Sequence, residues 1–107
     1  MKKVDEAKIN QVIADLWKKN LPTLRERLIL LDRMAATAAT GNLTETSRIE
    51  ALEIAHKLSG SLGMFGYQQG TEIARKMETI LKSPTPEALT TLTTLTKDLR
   101  HALPSPL

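Results

Sequence analysis

Apolar residues recur every three to four positions along most of the chain. No stretch alternates strictly for long, so the pattern predicts helices throughout and no sheet. From about Asp5 to Asn20, Ile9, Val12, Ile13, Leu16 and Trp17 fall on one side of a helix. From about Thr23 to Thr40, Leu24, Leu28, Leu31, Ala35 and Ala38 do the same. Pro22 stands between the two patterns, and the apolar phase runs through it. It either opens a new helix near its first turn or kinks one long helix. Gly41-Asn42 is a stop signal.

A further helix is expected to begin near Thr44 to Ser47, with Ser47 and Glu50 at capping-box spacing. Its apolar seam is Ala51, Ala55, Leu58, Leu62 and Phe65, spaced four, three, four and three. Gly66 breaks it. The next helix is expected from about Gln68 to Leu81, with Ile73, Ala74, Met77, Ile80 and Leu81 inward. After a short turn, Thr85 caps a last helix with Pro86 at its first position. That helix carries Leu89, Leu92, Leu95, Thr96, Leu99 and Leu103. Short connections make neighbouring helices antiparallel. The expected fold is therefore all-α, an antiparallel up-and-down four-helix bundle with an additional N-terminal helical segment. Residues 1–107 read as a single domain, with 104–107 as linker or tail.

Composition narrows the function classes. A chain of 107 residues suits one core, and 41% apolar with 25% charged residues is ordinary for a globular domain. Without cysteine there are no disulfides and no thiolate metal sites. No apolar run approaches the roughly 20 residues of a membrane span. The opening MKKVDEAK has no apolar region behind it, so it does not read as a signal peptide, and a cytoplasmic location is expected. The net charge of +3 and pI near 9.4 are a mild bias. Basic residues are scattered, and Trp17, Phe65 and Tyr67 are the only aromatics. Neither a nucleic acid nor a membrane is the expected partner.

The stretch AHKLSGSLGMFG, Ala55 to Gly66, changes the picture. Glycine inside a helix costs roughly 0.5–1 kcal/mol relative to alanine. At about 100° per residue, His56 lies one step off the apolar seam and shares its face with Ser59, Gly60 and Gly63. A face of small residues lets another helix pack close, or leaves open ground beside an exposed imidazole. On periodicity alone, His56 also fits an ordinary surface histidine beside a packing face. Other chemistries find little support. His56 and His101 are the only histidines, and Glu53-Ile54-Ala55-His56 has no second copy to build a di-iron site. No acid completes a triad with Ser59 and His56, and no Walker-type glycine loop occurs.

The run Ala55-His56-Lys57-Leu58-Ser59-Gly60-Ser61, Gly66 ten residues after the histidine, then Ile73-Ala74 and Met77-Glu78, resembles the histidine-containing phosphotransfer (HPt) domain. The family pattern reads roughly A-H-x-L-K-G-S, then glycine, then L-A-x-x-L-E. The wording is most similar to HPt segments of cyanobacterial multidomain response regulators. The resemblance implies a bundle whose His56 accepts a phosphoryl group from a receiver-domain aspartate and passes it to another receiver. It implies response-regulator receiver domains or a hybrid sensor kinase as partners, and no ATP-dependent kinase activity of its own. No cofactor is expected on the chain, with Mg²⁺ carried by the receiver. Ser59 stands where the family commonly has a lysine. With the hairpin turn near Gly66 and Tyr67, the residues across from His56 are expected at about Ala74 to Glu78, so Lys57, Ser59, Arg75, Lys76 and Glu78 are the candidates to support the phosphoryl group or the ring. Ser59, Gly60 and Gly63 are the candidate docking ground. The alternative reading is a helical adaptor that binds receivers without phosphorylation. His101 is expected to interact with terminal helix carbonyls, and Trp17 to anchor the N-terminal segment.

Overall fold

The structure, a computed structural model, describes residues 6–104. Five helices follow one another: α1 (Glu6–Ala39), α2 (Glu45–Met64), α3 (Gln68–Lys82), α4 (Pro86–Thr90) and α5 (Leu92–His101). Helix α1 neighbours α2, α4 and α5; α2 pairs with α3 along its length; α3 closes the ring against α5. This is the expected bundle, with α4 and α5 together forming its fourth member. The seams predicted from periodicity meet in one core: Leu24, Leu28 and Leu31 from α1, Ala55, Leu58 and Leu62 from α2, Met77 and Leu81 from α3, and Leu92 and Leu99 from α5. Each of these is almost fully removed from water.

Pro22 lies inside α1, so the two N-terminal patterns are one helix of 34 residues. Proline has no N–H, so the Lys18 carbonyl one turn back loses its helical donor. Pro22 is exposed, and water can satisfy that carbonyl. Pro22→Ala is therefore expected to restore the bond and raise stability by about 1–3 kcal/mol, read as a higher melting temperature. The helix is pinned just before this point. Trp17 packs edge-on against Phe65, with ring centroids 5.1 Å apart, and lies 4.8 Å from Tyr67. The anchor expected of Trp17 is thus the turn that follows α2.

Three local expectations are corrected. Thr44, not Ser47, caps α2: its Oγ1 accepts from the Ser47 amide at 3.1 Å and donates to the Ser47 hydroxyl. The Ser47–Glu50 box does not form, because an earlier threonine already satisfies the free amide. The last helix breaks at Thr91, between α4 and α5, although Thr85 and Pro86 cap and open α4 as expected. His101 is exposed and makes no hydrogen bond among the described residues; the Ala102 amide meets the Asp98 and Leu99 carbonyls instead. The tail reading falls largely on residues 105–107, outside the described residues.

Between α2 and α3 the Tyr67 amide bonds to the Leu62 carbonyl and the Gly66 amide to that of Gly63. Gly66 takes φ +83°, which favours glycine, and completes a Schellman turn. At the other end of the hairpin, Arg48 Nη1 donates to the Leu81 carbonyl at 2.6 Å while its guanidinium pairs with Glu45. These two closures set the register of α3 against α2, and that register places the site.

Candidate functional site

His56 projects from the middle of α2 because Ala55 and Leu58 on either side of it point into the core. Its side chain is 74% exposed. Across the hairpin, burial of Met77 and Leu81 turns Glu78 toward the edge that α3 shares with α2. Glu78 Oε2 lies 2.6 Å from His56 Nδ1, and the Glu78 side chain is only 16% exposed.

That contact decides the chemistry of the ring. An ionised carboxylate can only accept a hydrogen bond. Nδ1 must therefore carry a proton to meet it, since two acceptors at this distance repel. A neutral imidazole with its proton on Nδ1 leaves the lone pair on Nε2. Nε2 is then the ring nitrogen with a free lone pair, on a ring open to solvent.

The remaining sequence candidates separate. Ser59 Oγ donates to the His56 carbonyl at 2.7 Å, so its one proton is spent on the helix backbone. A Cβ on Gly60 would meet nothing within 4 Å, so the ground beside the imidazole is bare. A Cβ on Gly63 would touch Thr71 Oγ1 at 3.5 Å; this glycine lies against α3. Arg75 stands one turn before Glu78 on α3 and borders a cleft with Gly63, Gly66, Thr71 and Glu72. Lys76 borders a groove with Leu95, Asp98 and His101 on the α5 side, and Arg75 also borders that side, beside Thr91 and Leu95. Lys57 is exposed and about 100° round α2 from His56. Neither Lys57 nor Arg75 is engaged in an ion pair among the described residues. The structure thus brings His56, Glu78, Ser59 and Gly60 together, with Arg75 on the same α3 edge. The Ser59 back-bond had no separate signal in the sequence beyond serine's general habit of bonding its own helix.

Comparison with known proteins decides the family. The family model described as Hpt domain matches residues 13–102. The chain belongs to the Hpt domain family. The match takes in the bundle core and the α2–α3 hairpin that carries His56 and Glu78. Hpt domains are histidine phosphotransfer modules of phosphorelays rather than kinases, and receiver domains are their partners. The chain is also similar to Protein RcaC of Microchaete diplosiphon, at 31% identity over 64 residues, which covers 60% of this chain. The aligned part spans about 10% of that relative's length. No solved structure matches. Among the described residues, no helix of this Hpt domain is long and apolar enough to cross a membrane.

Proposed function

We propose that this Hpt domain accepts a phosphoryl group on Nε2 of His56 from the aspartyl phosphate of one receiver domain and passes it to the aspartate of another. The observation that carries the reading is the 2.6 Å contact between Nδ1 and Glu78 on a ring that is otherwise open. In the forward step the Nε2 lone pair forms the N–P bond as the P–O bond to aspartate breaks. The electron pair leaves with the aspartate carboxylate. The ring keeps its Nδ1 proton and gains positive charge, which the Glu78 carboxylate offsets. No proton needs to leave, so the reverse step toward the second receiver is the same path run backwards.

Charge on the moving oxygens also has to be met. Arg75 is the proposed cation from this chain, since it shares the α3 edge with Glu78 and has no ion-pair partner among the described residues. Lys57 is the reserve, and Ser59 supplies no charge. The magnesium is proposed to be the receiver's. No cluster of three or more metal-ligating side chains stands among the described residues. Gly60, with Ser59 and Gly63 beside it, is the proposed docking ground. A brief encounter fits an interface of about 1,200 Å² or less. A cytoplasmic setting, where receivers and response regulators work, follows from the same reading.

The test is incubation with phosphorylated receiver domains. The expected product is an acid-labile, alkali-stable label on this chain. No label from any receiver favours the adaptor reading, which the uncharged Ser59 supports. A second expected result concerns the ring's partner. Glu78→Gln keeps an acceptor oxygen but loses the charge, and its amide can also donate, so the tautomer is no longer fixed. Labelling should slow by about tenfold, or ~1.4 kcal/mol in the barrier, with the fold intact. An unchanged rate would remove Glu78 from the mechanism.

A further inference from the structure

Among the described residues, two side-chain hydrogen bonds cross from α2 to α3. One is the contact of His56 with Glu78 at 2.6 Å. In the other, Arg48 Nη1 donates to the Leu81 carbonyl, also at 2.6 Å. Leu81 is the last residue but one of α3. Its carbonyl is among the final four of the helix, which have no amide partner within it. Arg48 therefore caps α3 from the neighbouring helix. Arg48 is itself held from one turn earlier on α2, where its Nε donates to Glu45 Oε2 at 2.8 Å. Nη2 meets the other carboxylate oxygen. One side of the planar guanidinium is thus fixed by Glu45, and Nη1 is left aimed at α3. The Arg48 side chain is only 20% exposed.

The place of this cap matters more than its strength. Glu78 lies three residues before Leu81, about 4.5 Å along the α3 axis. The turn at Gly66 lies 12 residues the other way, about 18 Å from Glu78. Arg48 is the nearer of the two hairpin closures. Apolar burial has no preferred direction. Ala51, Ala55 and Ala74, buried on these two helices, interlock through a single methyl each. Such surfaces hold the helices together and resist a small axial slide weakly. The ring contact does not tolerate that slide, because at about 1 Å longer it is no longer a hydrogen bond.

We propose that Arg48 is a positioning residue for the phosphoryl acceptor, fixing the end of α3 so that Glu78 stays on Nδ1 of His56. Its effect on rate rests on the phosphotransfer reading; its effect on the ring does not. Arg48 lies eight residues before His56, about 12 Å along α2, and acts through the register of the hairpin. Its loss therefore cannot slow labelling by more than loss of the Glu78 charge does, about tenfold.

The test compares Arg48→Ala, Glu78→Gln and the double variant in the 107-residue chain. Nitrogen NMR of the free protein is expected to show the proton on Nδ1 in the parent chain and partly on Nε2 in Arg48→Ala. Labelling from a phosphorylated receiver should slow by about threefold in Arg48→Ala. In the Glu78→Gln background the same change should slow it no further, since the contact it positions is already gone. Arg48→Lys keeps a donor for the Leu81 carbonyl and should keep the Nδ1 proton and most of the rate. A merely structural role would lower the melting temperature and leave the ring as it was. If Arg48→Ala does not fold, Glu45→Gln, at an exposed side chain, carries both readouts with a smaller effect in the same direction. A ring that keeps its proton wholly on Nδ1, or equal slowing with and without the Glu78 carboxylate, overturns the proposal. Absence of label even in the parent chain, with the ring shifted as expected, overturns the phosphotransfer reading and supports the positioning of the ring by Arg48.

Discussion

His56→Gln is expected to reduce phosphoryl acceptance to background while leaving the bundle folded. Glutamine has no nitrogen lone pair able to form the N–P bond, because its amide nitrogen is delocalised into the carbonyl. The fold should not notice, since the His56 side chain is 74% exposed and makes no core contact. The glutamine amide can still donate to Glu78, so the largely covered carboxylate is not stranded. Surface changes of this kind are usually within about 0.5 kcal/mol. The check pairs two measurements on one sample: acid-labile label after incubation with a phosphorylated receiver, and a thermal melt. Label that survives the substitution would move the acceptor elsewhere. His101, the other histidine, has no carboxylate on its ring and lies in the α5 groove.

Gly60→Trp is expected to slow transfer by roughly 100-fold or more without weakening the fold. A side chain at Gly60 meets nothing of the protein itself within 4 Å. What it meets is whatever approaches His56, one turn away. A reacting pair must align within a few tenths of an ångström, so a bulky group in the gap costs rate steeply. The helix gains, because any residue but proline is better than glycine there. Gly60→Ala is the matched control, with stability up by about 1 kcal/mol and transfer only mildly slowed. Slow transfer together with a raised melting temperature separates docking from folding. Gly63 is a poorer probe, because its added Cβ would touch Thr71. Normal transfer by Gly60→Trp would remove Gly60 from the docking ground.

The bundle was legible because each helix buries one seam, and a seam at helical spacing leaves a direct imprint on sequence. Leu24, Leu58, Met77 and Leu99 are buried where their spacing placed them. What periodicity cannot resolve is competition between equivalent local solutions. Thr44 and Ser47 are both good caps, and the helix starts at the one whose oxygen reaches the free amide first. Pro22 suits a helix start or an exposed interior position, and only the unbroken course of α1 through it decides. The same pattern that predicted a helix over Ile9 to Leu16 said nothing about whether its apolar face has a neighbour. At the site, the helical wheel put His56, Ser59, Gly60 and Gly63 together, and hairpin counting from Gly66 reached Glu78. The turn at Lys76 toward α5 was not accessible that way, because one residue's difference on α3 is about 100°. Nor was the Ser59 back-bond, since an exposed serine has several acceptors within reach.

The most direct measurement is nitrogen NMR of the His56 imidazole, first in the free protein and then after phosphoryl transfer from a receiver. The predicted result is a proton on Nδ1 and a bare Nε2, followed by phosphorus coupling at Nε2 alone. A proton resident on Nε2, or phosphorus on Nδ1, would contradict it.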